Sequence, residues 1–344
     1  MPLQPSPAPR QAPRPDWRRE LARFEKPDTR KAVWQLVDTF VPYVALWAAM
    51  VVMLRQGLSY WLVLPLVVVA SGFLVRIFIF FHDCCHDCFL PTRRANRLVG
   101  YITGVLTFTP FDDWRHQHAL HHAGSGNLER RGAGDIWTLT VAEYRSAPGI
   151  RRLGYRLFRN PLVLFLLGPF YMFFVAQRFW HRESGERGRR SVAVTNAALL
   201  GLVAAASLTI GLKTYLLIQI PVMAVAGMFG IWLFYVQHQY DPTYWEHQSG
   251  WDPVQASLEG SSYYKLPKVL QWFSGNIGLH HIHHLRARIP NYHLQACYDS
   301  VAELQAVEPL TLLGSLRCLF LNLWDEGERR MVSFRALRRR SSAA

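Results

Sequence analysis

Histidines in three short segments are the residues of this chain best suited to chemistry. The chain has 14 histidines, and most of them lie in "HDCCH" (82–86), "HALHH" (118–122) and "HHIHH" (280–284). On a helix, side chains spaced i, i+3 and i+4 project from one face. Because neutral imidazole binds iron, zinc and copper, these segments predict a shared metal site. The eight predicted ligands are His82, His86, His118, His121, His122, His280, His283 and His284.

The other histidines are less regularly placed. His238 follows a long apolar run, at a point where a helix would reach the cluster, and we predict it as a ninth ligand. His116, His181 and His247 have no partner at a helical spacing, so we expect ordinary surface or core roles for them. For His293, in "IPNYH", a ligand role and an ordinary surface or core role both stay open.

Long apolar segments must position these histidines. The run 58–81, "LSYWLVLPLVVVASGFLVRIFIFF", holds a single charge and is long enough to cross about 30 Å of hydrocarbon as a helix. Similar runs cover 33–54, 192–210 and 213–237, and the connections "RQG" and "GLK" are very short. The pattern predicts an all-α integral membrane protein with four transmembrane helices in two hairpins.

The net charge of +14 would suit a nucleic-acid partner in a soluble protein. With four spans, contact with anionic lipid headgroups is the better interpretation, and we expect no nucleic-acid partner. Arginines are dense outside the two tight turns, so the positive-inside rule places both termini and the long loops in the cytoplasm. Arg93, Arg94 and Arg97 either hold a lipid headgroup or simply follow that rule.

Ligands of one site must lie on one side of the membrane. The segment 98–110 is too short to span, and 161–180 is interrupted at Gly168-Pro169 between arginine-rich loops. We therefore predict that 161–180 is interfacial or re-entrant. The histidine groups then meet at the cytoplasmic face, in a helical cap that carries a di-metal site.

Composition suggests three parts of the chain. Residues 1–30 are rich in proline and predict a disordered leader, 31–325 form the membrane domain, and 326–344 form a basic tail. Cys84, Cys85 and Cys88 would lie on the reducing cytoplasmic side, where small apolar packing is a simpler role for them than metal binding.

The number and position of the histidines bear on the type of metal site. A structural zinc site needs only four ligands, and a carrier places its ligands within the span. Eight or nine imidazoles at helix ends fit two metals better. A membrane metal transporter remains a weaker alternative.

The three histidine boxes, with the flanking segments "WRHQHALHHAGSGNLERRGAGDIWTLT" and "GSSYYKLPKVLQWFSGNIGLHHIHHLRARIPNYHL", resemble the membrane-bound fatty acid desaturase superfamily over about residues 35–300. Two details favour its acyl-lipid type. The first box has three residues between its histidines, where the stearoyl-CoA type has one more. The third box begins with His280, where front-end desaturases typically have glutamine.

This resemblance implies a di-iron centre, with O2 as co-substrate, that introduces a cis double bond into an acyl chain, here a lipid-linked one. It implies that the eight box histidines and His238 hold two Fe ions, with Asn276 near them through a water. Asp83 and Asp87 could orient ligand imidazoles or could be surface and capping residues, and Asp135 has no assigned role. Without a His-Pro-Gly-Gly motif in the sequence, a separate electron donor such as ferredoxin or a cytochrome b5-like protein is expected.

A related reaction is the main alternative to desaturation. Carotenoid ketolases or hydroxylases and alkane hydroxylases use similar boxes to insert oxygen, whereas the flanking segments favour desaturation.

Overall fold

A computed structural model describes residues 17–132 and 134–341 of the chain. The first part of the predicted leader, residues 1–16, lies outside the described residues. Ten helices are labelled in chain order: α1 Thr29–Arg55, α2 Tyr60–Cys85, α3 Arg93–Leu106, α4 Phe111–Gly124, α5 Gly149–Phe158, α6 Gly185–Thr209, α7 Leu212–His238, α8 His280–Leu285, α9 Asn291–Ser300 and α10 Phe334–Ser341. Shorter helical pieces cover Trp17–Glu20, Leu21–Phe24, Val141–Ser146, Val163–Leu167, Gly168–Phe170, Tyr171–Val175, Ala176–Arg178, Arg182–Ser184, Pro253–Glu259, Lys268–Phe273, Ala302–Gln305 and Gly314–Phe320.

Helices α1, α2, α6 and α7 are long and apolar enough to cross a membrane. Asp28 begins α1 by accepting hydrogen bonds from the backbone N–H groups of Arg30 and Lys31. The turns after α1 and α6 use Gly57 and Gly211, both with positive φ (71° and 86°). The predicted pair of helical hairpins is confirmed, and the protein is an integral membrane protein.

The second span is the centre of the membrane region. Helix α2 is buried along most of its length and packs against α1, α3 and α7. The one charge in its apolar run 58–81, Arg76, is buried: its Nε donates to Thr39 Oγ1 (3.0 Å), and its guanidinium lies 4.0 Å from the Trp272 ring centroid. Arg76 also forms an ion pair with Asp38 of α1 (3.8 Å). Arg76 therefore ties the two helices of the first hairpin to the segment Lys268–Phe273.

Two apolar segments do not form straight spans. Helix α3 has 14 residues, about 21 Å at 1.5 Å per residue, which is shorter than the hydrocarbon core. The segment Val163–Arg178 follows α5 after a bend of 64°, and Pro169 lies within it. The bend fits either a broken span or a re-entrant segment, so the interfacial or re-entrant placement stays a prediction.

A cap of short elements joins the helix ends. It contains a three-stranded sheet in the order β1 (Leu139–Thr140), β4 (Leu323–Asp325), β5 (Arg330–Val332), and a parallel pair of β2 (Tyr263–Lys265) and β3 (Pro309–Thr311). Its apolar cluster includes Ile282, Leu294 and Leu304. The fold is mostly helical, as predicted, with these short strands as an addition.

Both predicted terminal boundaries need correction. Leu21 is fully buried in the cap cluster, so residues 17–30 are part of the fold and not of a disordered leader. The boundary at 325 falls inside the β4–β5 hairpin, and Leu337 of α10 is also buried. Single apolar anchors within polar stretches leave little periodic signal, which is why composition misplaced both ends.

A close backbone contact sets the position of the third histidine box. The N–H of Tyr264 donates to the carbonyl of Gly278 (2.7 Å), two residues before α8. A Cβ added at Gly278 would lie 2.3 Å from the carbonyl oxygen of Tyr264. Only glycine allows the two backbones to approach this closely.

We expect Gly278→Ala to destabilise the protein by about 1–3 kcal/mol and to lower its metal content, because the backbone before α8 must move. Thermal unfolding and metal analysis of the purified protein test this. Gly230→Ala in α7, where an added Cβ meets nothing within 4 Å, is the matched control. Equal stability and metal content in the two variants would contradict the prediction.

Candidate metal centre

Nine histidines converge in two groups. The first group consists of His82, His86, His118, His122 and His283, and the second of His121, His238, His280 and His284. In each group the candidate ligand atoms lie within 4.8 Å of one another. These are the eight box histidines and His238, so the structure brings together all nine histidines that the sequence singled out.

The Nε2 atoms face the centre of each group. In the first group, Nε2 of His283 lies 3.1 Å from that of His82 and 2.9 Å from that of His122. In the second group, Nε2 of His238 lies 3.2 Å from that of His121 and 2.9 Å from that of His280. Two imidazoles bound to one metal at about 2.1 Å place their nitrogens about 3 Å apart. The observed spacing therefore fits coordination.

The helical spacing divides each box between the two groups. In α4, His118 and His122 (i, i+4) enter the first group, while His121 enters the second. In α8 the assignment is reversed: His280 and His284 enter the second group and His283 the first. An α-helix turns about 100° per residue, so the i+4 side chain lies about 40° to one side of residue i and the i+3 side chain about 60° to the other. Each of these two helices thus contributes to both groups.

Carboxylates set the tautomers of two site histidines. Nδ1 of His121 lies 2.5 Å from Asp135 Oδ1, and Nδ1 of His82 lies 3.1 Å from Asp83 Oδ1. A carboxylate only accepts hydrogen bonds, so each Nδ1 carries the proton and each Nε2 presents a lone pair. Nδ1 of His238 faces the carbonyl of Gly260 at a longer 3.4 Å, which favours the same tautomer.

This arrangement supplies a test of whether a metal fits. With the proton of each ring on Nδ1, the Nε2 lone pairs of His121 and His238 face each other at 3.2 Å. The Nε2 of His86 is buried and has no hydrogen-bond partner in the described part of the chain. Converging lone pairs repel one another unless a cation lies between them, and unpartnered buried nitrogens are costly. The donor set therefore fits two metal ions.

Burial keeps the imidazoles neutral. Desolvation first, and then the neighbouring imidazoles, lower the pKa well below its ordinary value for six of them: His86, His118, His122, His280, His283 and His284. A neutral imidazole is the form that binds a metal.

Aromatic side chains border the two groups. Trp114 stacks on His118 with ring centroids 4.3 Å apart. Phe234 lies 5.2 Å from His121 and 5.1 Å from His238. These rings keep water away from part of the site and lower its local dielectric constant.

The predicted polar neighbours have different roles. Asp83 contacts His82, which is one of the two roles left open for it, and its other oxygen accepts from the backbone N–H of Asn291 (2.7 Å) and from its side chain. Asp87 instead uses both oxygens for Arg115 (3.2 and 2.6 Å), so of the two roles left open for it, the described contacts do not include one with an imidazole. A guanidinium matches a carboxylate with two parallel bonds, a stronger pairing than one imidazole N–H.

Asn276 and Asp135 lie outside the histidine boxes, and their contacts could not be read from helical spacing. The side chain of Asn276 donates to the backbone carbonyl of Asn291 (3.0 Å), so it joins the network around Asp83. Its predicted contact with the metals through a water stays a prediction. Asp135, which had no role assigned from the sequence, contacts His121. Its place in "GAGDIW" was the only signal, because a loop carboxylate has no helical spacing to reveal its partner.

Five histidines lie outside both groups. His181 contacts Asp113 (2.8 Å), His247 lies between Glu129 and Glu326, and His293 Nδ1 donates to the carbonyl of Phe24 (2.9 Å). His281 is buried in the cap, where desolvation lowers its pKa to about 4. His116 is likewise absent from both groups.

The three neighbouring cysteines pack in the protein interior. Cys84 and Cys85 belong to an apolar cluster with Phe80 and Phe89, and Cys88 is also buried. Neither histidine group includes a cysteine. The predicted packing role is confirmed.

The fold and the site define a membrane protein with four long apolar helices and a histidine-lined site that could hold two metals. The chain matches the family model described as fatty acid desaturase over residues 59–310. It is 46% identical over 320 residues to a protein named fatty acid desaturase from Bacillus subtilis (strain 168), covering 93% of this chain and 90% of that protein.

More distant relatives carry more specific names. The sn-1 oleoyl-lipid 12-desaturase of Synechocystis sp. is 27% identical over 257 residues, covering 71% of this chain and 69% of that protein. The sn-2 acyl-lipid omega-3 desaturase (ferredoxin), chloroplastic, of Arabidopsis thaliana is 26% identical over 280 residues, covering 73% and 58%. This chain belongs to the fatty acid desaturase family, and it is an oxidoreductase that acts on fatty acids.

Removing the carboxylate beside His121 tests how far the site depends on it. We expect Asp135→Ala to weaken metal binding by about 10- to 100-fold, because His121 loses the partner that fixes its tautomer. Metal per chain, measured by inductively coupled plasma mass spectrometry, gives the readout. Asp299→Ala, on the exposed face of α9, is the control. Full metal content in Asp135→Ala would show that His121 needs no orienting partner.

The lowered pKa values also predict how stability depends on pH. In the metal-free protein, the folded state keeps these imidazoles neutral, whereas the unfolded chain takes up protons below about pH 6.5. The unfolded state therefore binds more protons, and the free energy of unfolding falls as the pH drops below that value. Thermal unfolding of chelator-treated protein between pH 5 and pH 8 checks this, and a constant midpoint across the range would contradict it.

Proposed function

We propose that the protein is an acyl-lipid desaturase that uses O2 and two electrons at a di-iron centre held by the nine histidines. The observation that carries this proposal is the convergence of ring nitrogens from nine histidines into two adjacent groups. In balanced form, one –CH2–CH2– unit, O2, two electrons and two protons give –CH=CH– and two waters. Iron is proposed because the reaction is oxidative and zinc has no redox chemistry.

The chain's own residues have distinct tasks in this proposal. The first group would hold one iron and the second group the other, and the two irons would together supply the oxidising power for removing hydrogen from the acyl chain. Asp83 and Asp135 keep the protons of His82 and His121 on Nδ1, away from the metals. Trp114 and Phe234 limit the entry of water beside the histidines.

The nature of the substrate rests on the relatives. The names of two of them specify oleoyl-lipid or acyl-lipid substrates, which supports a lipid-linked acyl chain here. An apolar chain reaches a site at the ends of α2 and α7 most directly from the bilayer. The same positions argue against a metal transporter, whose ligands would lie within the spans.

Topology and electron supply form the last part of the proposal. The arginine-rich segments support a cytoplasmic location for the termini, the long loops and the histidine groups, with the turns at Gly57 and Gly211 outside. Electrons would reach the site from a separate carrier on that side, a ferredoxin or a cytochrome b5-like protein. The name of the Arabidopsis relative includes ferredoxin.

Fatty acid analysis of an expressing host tests the reaction. With a competent electron donor, we expect gas chromatography and mass spectrometry to find a new unsaturated fatty acid with the intact protein. His121→Ala should abolish it, and His116→Ala, a change on the same helix outside both groups, should retain it. A product with an added hydroxyl or ketone would assign the chain to a related oxygenase instead.

Two further readouts test the cofactor. The purified protein should contain two iron atoms per chain, and the new product should require oxygen in the culture. Zinc in place of iron, or equal product without oxygen, would overturn the di-iron proposal.

A further inference from the structure

A basic groove lies away from the histidine groups. It is open, has a volume of about 440 Å³, and is formed where α5 meets α10 and the helix Val141–Ser146. We call it the arginine groove, and it is lined by Tyr144, Arg145, Arg152, Leu153, Arg156 and Arg338. None of these residues belongs to the metal centre.

Aromatic packing fixes the walls of the arginine groove. The Phe334 ring of α10 contacts Tyr144 (5.4 Å between centroids) and Tyr155 of α5 (5.9 Å). Nε of Arg156 donates to the Tyr144 hydroxyl (2.5 Å), and its guanidinium lies 5.0 Å from the Phe334 centroid. The groove is therefore a built feature and not a chance gap between mobile side chains.

Two arginines of the groove have no carboxylate partner among the described residues. Within the described part of the chain, neither Arg145 nor Arg152 forms an ion pair with a carboxylate. Glu143, which is close in sequence, is already bound by Arg131 through two bonds (2.9 and 2.7 Å). Several guanidinium groups around one concave surface suit a phosphate, which accepts bidentate hydrogen bonds.

The apolar side of α5 favours a membrane lipid as the molecule that carries this phosphate. Ile150, Leu153 and Leu157 are 78%, 54% and 54% exposed and lie on one side of the helix. The apolar segment Val163–Arg178 follows directly, with Leu162 68% exposed before it. A helix with exposed leucines beside arginines, leading into a bent apolar segment, is typical of the membrane interface.

We propose that the arginine groove binds the phosphate of an anionic phospholipid headgroup. The arginines of α5 then lie at headgroup depth while Ile150, Leu153 and Leu157 enter the acyl region. An acidic protein docked on the groove would leave Ile150 and Leu157, which do not line it, exposed to water. The site is independent of the reaction at the histidines, and it would link α5 and α10 to the charge of the membrane.

Binding of soluble short-chain lipids to the full-length protein in neutral detergent tests the proposal. The probes are dihexanoyl phosphatidylglycerol, dihexanoyl phosphatidylcholine and inorganic phosphate, measured by native mass spectrometry and calorimetry. We expect the phosphatidylglycerol to bind best. The double variant Arg145→Gln/Arg152→Gln should weaken that binding by about 30-fold, since each arginine near a lipid surface contributes about a fivefold factor.

Arg151→Gln is the matched control, since it removes an exposed arginine of the same helix that does not line the groove. It should change the affinity less than twofold. An equal loss in the control would show a diffuse basic surface, and equal binding of phosphatidylcholine or inorganic phosphate would remove the anionic lipid as the ligand. Unchanged lipid binding in the double variant, with loss of electron transfer from an acidic carrier, would assign the groove to protein docking. Each of these results would overturn the proposal.

Discussion

The repulsion between converging imidazole lone pairs is the constraint on which the rest of the structure depends. Nine imidazole rings converge in a buried space, and their closest nitrogens lie 2.9 to 3.2 Å apart, as two metal ions would require. Such a set is unfavourable without metal, because the nitrogens lose water and gain few hydrogen-bond partners. The surrounding fold must hold the rings in place, and metal binding then stabilises the folded state.

Several contacts provide that support from outside the groups. Asp83 joins His82 to Asn291, whose side chain also accepts a hydrogen bond from Gln35 of α1 (2.9 Å). Asp135 holds His121 from a loop, with a long hydrogen bond (3.4 Å) from the backbone N–H of Gly132. The close approach of Gly278 to Tyr264 aligns α8. Each support comes from a different part of the chain, so the site forms only when the cap and the helices have assembled.

The membrane helices and the cap meet at the ends of α2 and α7. His82 lies in the last turn of α2, and His238 is the last residue of α7. Arg76, about one and a half turns before His82 by the helical repeat, connects α1 and α2 with the segment that leads to Gly278. The metal centre is therefore attached to the membrane domain by both apolar packing and buried polar contacts.

Much of this arrangement follows from local sequence patterns. The apolar runs predicted the four long helices because hydrophobic length is a local property. The i, i+3 and i+4 spacings predicted that His118, His121 and His122 share a face, since helical periodicity alone places them there. The same argument selected the third box and left its His281 out, and His281 lies in the cap.

Tertiary structure decided those features that the spacing of residues along the chain does not specify. The division of α4 and α8 between the two groups depends on the angle at which the helices meet, and the roles of Asp135 and Asp87 depend on which partner each carboxylate reaches. Asp135 contacts a histidine 14 residues before it, whereas Asp87 pairs with Arg115, 28 residues after it. The sequence pattern likewise did not predict that Leu21 and Leu337 pack against distant elements. The sequence by itself determined the helices and the ligand set, and only the folded chain decided how the ligands are shared, because that depends on contacts between segments far apart in the sequence.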